Sequence, residues 1–186
     1  MKVLVFIGPS GSGKSTLIRE LHLREIVEVM PSWTTRPRRE DEAGGDIDHR
    51  FVTDGEFSKL HDDGYFLEAI EMFGFRYGLP PIGSPRNGRI PAILVRAPLL
   101  DLVSKHFPNH VIYQIESSLE AVSQRMEARQ IPRSEMEGRL SAYADELALG
   151  RQICHRLFDT SDPLAEVADE VERAIAEDFQ LDGSSR

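Results

Sequence analysis

The feature that most constrains this chain is a short apolar run followed at once by a glycine-rich loop. Residues 3–7 are VLVFI, and the segment GPSGSGKST occupies residues 8–16. A pattern of glycine, four residues of any kind, and then glycine, lysine and serine is formed by Gly8, Gly13, Lys14 and Ser15. Between a buried β-strand and a helix, this pattern is typical of a loop whose backbone N–H groups surround a phosphate. The chain is therefore predicted to bind a nucleoside triphosphate.

The positions in this loop have different expected tasks. Lys14 is expected to reach the β- and γ-phosphates, and the Ser15 hydroxyl to ligate Mg²⁺. The glycines allow successive N–H groups to point inward, and the following helix adds its positive N-terminal end. The residues predicted to bind the triphosphate are Gly8, Ser10, Gly11, Ser12, Gly13, Lys14, Ser15 and Thr16.

Composition argues against several other classes of protein. The formal net charge of -9 is the opposite of what a nucleic-acid or anionic-membrane binder usually carries. Cys154 is the single cysteine, which excludes an intrachain disulfide framework and indicates a reducing compartment. No apolar stretch approaches the roughly 20 residues that span a bilayer, and the apolar start is too short for a signal peptide. We expect a cytoplasmic protein, monomer or homodimer, that acts on small molecules and binds neither nucleic acid nor membrane.

The order of segments predicts an α/β fold. Apolar, β-rich runs alternate with helical patterns, one of them over residues 133–147, which indicates a parallel core sheet with crossover helices. Residues 32–79 differ, because they are polar, turn-rich and carry short aromatic stretches, as expected of an inserted subdomain of mostly antiparallel strands. The prediction is one domain with the P-loop NTPase architecture of three layers, α/β/α. Residues 1–31 and 80–179 form its core, and residues 180–186 are a flexible tail.

Further motifs resemble the guanylate kinase family, whose members phosphorylate GMP from ATP. They are SWTTRPRREDEAGGDIDHRFVT at residues 32–53, EFSKLHDDGYFLEAIEMFGFRYG at 56–78, QRMEAR at 124–129 and GRL at 138–140. The resemblance covers most of the chain in the family's order. It implies transfer of the ATP γ-phosphate to GMP, with ATP and Mg²⁺ as cofactors. It also implies that residues 32–79 bind the acceptor and that a helical lid lies at about 125–150.

The resemblance also implies roles for individual residues. The acceptor phosphate would be held by Ser32, Arg36, Arg39 and Tyr77, with His49 where the family has a tyrosine. Arg38 is an alternative to Arg39, and Glu68 would accept hydrogen bonds from the guanine edge. The lid and donor site would contain Arg125, Arg129 and Arg139. The cations expected to stabilise the moving phosphoryl group are Lys14, Arg36, Arg39, Arg125, Arg129 and Arg139.

Four departures from the family pattern leave the acceptor open. His49 replaces the tyrosine, and Leu79 follows YG where the family has a serine or threonine that contacts guanine O6. Arg96 occupies a strand end where the family has aspartates, and an unpaired arginine there would favour a more anionic acceptor. Residues 80–91 also have a weaker helical pattern. These features resemble the ribose 1,5-bisphosphate phosphokinases, a second candidate family. A non-catalytic binding module is the third alternative, although the intact loop disfavours it.

Overall fold

The computed structural model describes residues 1–38, 47–81, 83, 85 and 88–180. Its strands are β1 (Val3–Ile7), β2 (Val27–Val29), β3 (Ser32–Thr34), β4 (His49–Phe51), β5 (Glu68–Met72), β6 (Phe75–Leu79), β7 (Ile90–Leu94), β8 (His110–Glu116) and β9 (Arg156–Asp159). Its α-helices are α1 (Lys14–Leu23), α2 (Asp54–Asp62), α3 (Leu100–His106), α4 (Leu119–Ala128), α5 (Arg133–Ser141), α6 (Tyr143–Ile153) and α7 (Leu164–Asp178). A short 3₁₀ helix, Ala97–Leu99, precedes α3.

Five parallel strands form the core sheet, in the order β2-β7-β1-β8-β9. The central strand β1 is buried along its whole length, as its uninterrupted apolar run predicts for a strand covered on both faces. Leu4 and Phe6 pack with residues of α1 and α7, whereas Val3, Val5 and Ile7 pack with residues of α3. Because alternate side chains of β1 meet different helices, the sheet lies between two helical layers. The predicted α/β/α fold with a parallel core sheet is confirmed.

A second, smaller sheet has the order β4-β3-β6-β5. Its β3–β6 and β5–β6 pairs are antiparallel, and its β3–β4 pair is parallel. In the β5–β6 hairpin, Glu68 pairs with Leu79 and Ile70 with Tyr77. Alternate residues of a strand share a face, so these four side chains point to the same side of the small sheet. All four line the cleft described below.

The segment predicted as one helix over residues 133–147 is two helices. The turn at Ala142 separates α5 from α6. Each helix has a different buried anchor: Arg139 of α5 donates to Ser10 Oγ, and the Tyr143 hydroxyl of α6 donates to the Ser117 carbonyl. The break allows the two helices to meet these separate partners. None of the helices in the described part of the chain is both long and apolar enough to cross a membrane.

Candidate active site

The glycine-rich loop leaves β1 at the carboxyl edge of the core sheet and leads directly into α1. A side chain cannot replace Gly8 there, because a Cβ atom at this position would lie 2.2 Å from the Ile115 carbonyl oxygen of β8. The helix begins at Lys14, so the N–H groups of its first turn have no acceptors within the helix. Such N–H groups, with the positive end of the helix, suit a phosphate. The local geometry therefore fits the triphosphate site that the sequence predicts.

Lys14 folds back over the loop. Its Nζ atom donates to the carbonyl oxygens of Gly8, at 2.6 Å, and Pro9, at 2.8 Å. Burial of the ammonium lowers the pKa of Lys14 to about 7, and the positive charge of Arg96 contributes in the same direction. The loop thus holds a lysine that gains its charge readily when an anion approaches.

The Ser15 hydroxyl lies beside a carboxylate. Its oxygen is 2.5 Å from Asp48 Oδ2, and Asp48 is buried. A hydroxyl and a carboxylate oxygen at the first turn of the helix are the hard ligands that Mg²⁺ prefers, together with phosphate oxygens. The donor set of Ser15 and Asp48 therefore fits the ion that the loop pattern implies.

Arg125 lies against the far end of the loop. Its guanidinium donates to the Gly11 carbonyl at 3.0 Å and to the Thr160 carbonyl at 3.3 Å. The Thr160 hydroxyl in turn lies 2.8 Å from the Ser12 carbonyl. Arg125, predicted as a lid and donor-site residue, thus contacts the loop through its backbone carbonyls.

Two other predicted arginines reach the cleft from the helical segment, which comprises α4, α5 and α6 (residues 119–153). Arg139 of α5 is buried and donates to Ser10 Oγ at 2.6 Å, with Glu135 as its second partner. Arg129 is the C-cap of α4 and also lines the cleft. The structure brings both side chains to the space in front of the glycine-rich loop.

The small sheet forms the opposite wall of the cleft. Ser32 Oγ lies 2.7 Å from His49 Nδ1, and the His49 ring is 6.2 Å from the Tyr77 ring, so these three predicted residues are clustered. Arg36 is 5% exposed and donates to the Pro37 carbonyl at 2.9 Å. Its guanidinium lies over the Phe51 ring.

The alternative pair of acceptor arginines is only partly described. Arg38 lies over the same Phe51 ring, at 5.1 Å from its centroid. Arg39 lies outside the described residues, and so do 181–186 of the predicted tail.

Glu68 is the first residue of β5 and also lines the cleft. Its Oε1 atom lies 2.9 Å from both Lys105 Nζ and His106 Nε2 of α3. These hydrogen bonds hold the pKa of the Glu68 carboxyl below its ordinary value. Glu68 is therefore a carboxylate at neutral pH, as required to accept hydrogen bonds from a base edge. Leu79, opposite it in register, is also in the cleft.

Arg96 is not the unpaired cation that its sequence position suggests. Its Nε donates to Glu146 Oε2 at 3.1 Å, and a second guanidinium nitrogen contacts Glu146 Oε1. Glu146 lies on α6 and is 3% exposed. The charge of Arg96 is thus balanced by a buried carboxylate, which weakens the argument for a more anionic acceptor.

One continuous cleft is lined by both the glycine-rich loop and the small sheet. Among the predicted site residues, those that line it are Ser10, Gly11, Ser12, Gly13, Lys14, Ser15, Thr16, Ser32, Arg36, His49, Glu68, Tyr77, Arg129 and Arg139. The cleft also contains Asp48, Met72, Phe73 and Arg96. The same cleft is thus lined both by the glycine-rich loop and by the Glu68 carboxylate of the small sheet.

Sequence reasoning overlooked Asp48 and Glu146 as site residues. Asp48 directly precedes His49, so its place beside a predicted acceptor residue was a usable signal. Glu146 shares a helix face with Tyr143 and Gly150, and all three are buried. A carboxylate at this spacing on a buried face indicates a buried partner, although not which one.

Comparison with known proteins gives consistent results. The family model described as guanylate kinase matches residues 1–80. A guanylate kinase of Gloeobacter violaceus is 34% identical over an alignment that covers 96% of this chain and 88% of the relative. One of Thermobifida fusca is 33% identical, with 94% and 91% of the two chains covered. The crystal structure of guanylate kinase from Anaplasma phagocytophilum superposes with a TM-score of 0.68 at 25% identity, covering 97% of this chain and 87% of that one.

Proposed function

Because this chain belongs to the guanylate kinase family, we propose that it transfers the γ-phosphoryl group of ATP to GMP, giving ADP and GDP. The observation that carries the proposal is the continuous cleft between the glycine-rich loop and the small sheet. ATP would lie with its phosphates on the loop from Gly8 to Thr16. GMP would lie on the small sheet, with its phosphate towards the loop.

The acceptor is proposed to bind through two sets of groups. Its phosphate would meet Ser32, Arg36, His49 and Tyr77, with Arg38 or Arg39 as a second guanidinium. Arginine suits this task because its planar fork donates two hydrogen bonds to one phosphate. The Glu68 carboxylate would accept from the guanine N1–H and its exocyclic amine, a pair of donors that the same edge of adenine lacks.

The transfer itself is proposed to be direct and in line. An oxygen of the acceptor phosphate attacks the γ-phosphorus, and the bond from that phosphorus to the bridging oxygen breaks as ADP leaves. No general base is needed, because the attacking phosphate oxygen is already ionised. The obstacle is repulsion between two anions, which positioning and positive charge offset. The described cations that line the cleft are Lys14, Arg36, Arg96, Arg129 and Arg139.

Mg²⁺ fits this site at Ser15, with Asp48 next to it. When bound, the ion would neutralise charge on the phosphate oxygens. Arg139 would reach the transferred group from α5, next to Ser10. Residues 125–150 are proposed as the lid that closes over the donor and excludes water.

Three side chains of the cleft bear on the identity of the acceptor. Leu79 supplies no hydroxyl for guanine O6, a feature that favours a phosphorylated sugar such as ribose 1,5-bisphosphate. Against that alternative, the Glu68 carboxylate can only accept hydrogen bonds, so it offers no donor to a second phosphate. The charge of Arg96 is also already balanced by Glu146.

A coupled ADP-release assay with ATP and Mg²⁺ tests the proposal. GMP, dGMP, AMP, UMP, CMP and ribose 1,5-bisphosphate are offered in turn, and product formation is verified by chromatography. The proposal expects GMP to have the highest kcat/KM. Transfer to ribose 1,5-bisphosphate alone would reassign the acceptor, and ATP binding without any transfer would favour a binding module. Lys14→Met is the matched control for contaminating kinases.

A further inference from the structure

The turn of the β5–β6 hairpin contains an aromatic residue in an unfavourable backbone conformation. Met72 and Phe75 are the last paired residues, so Phe73 and Gly74 form a two-residue loop. Their φ angles are 53° and 74°. Two-residue hairpin loops with positive φ at both positions strongly prefer Asn-Gly or Asp-Gly, and a bulky residue at positive φ is an outlier. Local backbone preferences therefore do not account for Phe73.

The contacts of the Phe73 ring give a reason for phenylalanine at this turn position. The Arg96 guanidinium carbon lies 4.5 Å from the centroid of the Phe73 ring, and that of Arg139 lies 5.4 Å from it. Both distances are within the range in which a guanidinium is attracted to an aromatic face. The neighbouring Met72 sulfur accepts a hydrogen bond from Arg96 at 3.2 Å. The hairpin tip thus contacts two arginines that line the cleft.

These two arginines come from different parts of the fold. Arg96 follows β7 of the core sheet and is bound to Glu146 of α6. Arg139 belongs to α5 and donates to Ser10 of the glycine-rich loop. Phe73 belongs to the small sheet. One ring that lines the cleft therefore contacts side chains of both the core and the helical segment.

We propose that Phe73 is a positioning residue for phosphoryl transfer, which holds the guanidinium groups of Arg96 and Arg139 at the cleft when the small sheet is docked against the helical segment. The inference rests on the proposed function. Phe73 touches neither reactant in this proposal; it acts through the two arginines. Without the ring, Arg96 would keep its contact with Glu146, and Arg139 its contacts with Ser10 and Glu135. The two guanidinium groups would lose the contact that fixes them relative to each other and to the small sheet.

The contact between the Phe73 ring and the two arginines is tested by NMR, without an activity measurement. Protons above an aromatic ring are shifted by its ring current, so the Arg96 and Arg139 Nε–Hε signals of the ¹⁵N-labelled protein should lie away from ordinary arginine positions. Arg96→Lys and Arg139→Lys identify the two signals by their disappearance. Phe73→Asn should return both towards ordinary positions. Signals that do not move in Phe73→Asn would overturn the contact and the proposal.

The effect of Phe73 on catalysis is tested with two variants, one that suits the turn but lacks the ring and one that keeps an aromatic ring. Asn suits a loop position with positive φ better than Phe does, so Phe73→Asn should melt no lower than the parent protein. It should nevertheless lower kcat about tenfold or more, because small displacements of catalytic groups are costly. The KM for ATP should stay within about twofold. Phe73→Trp keeps a ring for the cations and should retain kcat within about threefold.

A matched control has an apolar side chain of similar exposure away from the cleft. Leu164 is 38% exposed and Phe73 is 37% exposed, so Leu164→Asn should leave kcat unchanged. If Phe73→Asn keeps kcat within twofold, or if Phe73→Trp loses as much as Phe73→Asn, the positioning role is wrong. If the parent protein phosphorylates none of the six acceptors, the proposed function fails, whereas the arginine signals still decide whether Phe73 holds the two guanidinium groups.

Discussion

The carboxylate of Asp48 lies 2.5 Å from the hydroxyl of Ser15 and joins the small sheet to the first turn of α1. Asp48 immediately precedes β4, and its carbonyl oxygen accepts from the Ser32 amide at 3.0 Å. One residue therefore contacts the first turn of α1 through its side chain and the small sheet through its backbone. Asp48 therefore fixes the position of the proposed ATP site relative to the proposed GMP site.

Asp48→Asn should lower kcat/KM about tenfold or more and raise the Mg²⁺ concentration needed for half-maximal activity severalfold. The amide can still accept from Ser15, but the negative charge beside the proposed ion is lost. An Mg²⁺ titration at fixed ATP measures this, and the melting temperature checks folding. Asp54→Asn, at an exposed position of α2, is the control. An unchanged Mg²⁺ requirement would contradict the assignment of Asp48 to the metal site.

Leu79→Ser should improve GMP as an acceptor, lowering its KM roughly threefold to tenfold, which corresponds to one added hydrogen bond of about 1 kcal/mol. Leu79 pairs with Glu68 across the hairpin and shares its face. A hydroxyl there could donate to guanine O6 while Glu68 accepts from the adjacent N1–H. The KM for GMP and for ATP is compared with that of Leu79→Ala, which removes the leucine without adding a donor. Equal effects of Ser and Ala would exclude a hydrogen bond to the base.

The core sheet and the loop were predictable from the sequence because their signals are local. The β1 run is apolar at every position, and the glycine, lysine and serine spacing lies within eight residues. Parallel strands separated by helices then leave few possible arrangements. The clustering of Ser32, His49 and Tyr77 followed from the family resemblance.

Long-range pairs were not predictable in this way. Arg96 and Glu146 are 50 residues apart, and no local pattern indicates that α6 brings a carboxylate to the end of β7. The division between α5 and α6 likewise depends on tertiary contacts of Arg139 and Tyr143, because residues 133–147 favour a continuous helix on local propensity. Phe73 does not match the residues that a two-residue turn with positive φ prefers. Its presence is explained by its tertiary contacts with Arg96 and Arg139, which a local sequence pattern does not reveal.

Arg125→Met should weaken ATP binding about tenfold while leaving kcat at saturating ATP within about threefold of the parent value. The guanidinium donates to the Gly11 and Thr160 carbonyls, so its loss loosens the loop rather than removing charge from the transferred group. Direct ATP titration and the kcat at saturating ATP are measured together. Arg125→Lys should also fail to restore affinity, since one ammonium cannot match the fork. A fall in kcat of a hundredfold with unchanged ATP affinity would instead favour a direct catalytic role in the lid.

ATP binding should take up protons above neutral pH. In the ligand-free protein the pKa of Lys14 is lowered to about 7, first by burial and then by the charge of Arg96. The phosphates of bound ATP favour the charged ammonium and raise that pKa again. At pH 8, above this pKa, most of the free protein lacks the proton, so binding should take up the larger part of one proton. Near pH 6 Lys14 is charged in both states, and the uptake should vanish.

Calorimetric titration of ATP in two buffers of different ionisation enthalpy measures this uptake directly. The affinity for ATP should also fall as pH rises above 7, because an increasing share of binding free energy is spent on protonating the lysine. Lys14→Met should abolish both the uptake and this pH dependence, and should reduce turnover by orders of magnitude with the fold intact. Lys59→Met, exposed on α2, should preserve both. A pH dependence shared by Lys14→Met and the parent protein would assign the titration to another group and would contradict the lowered pKa of Lys14.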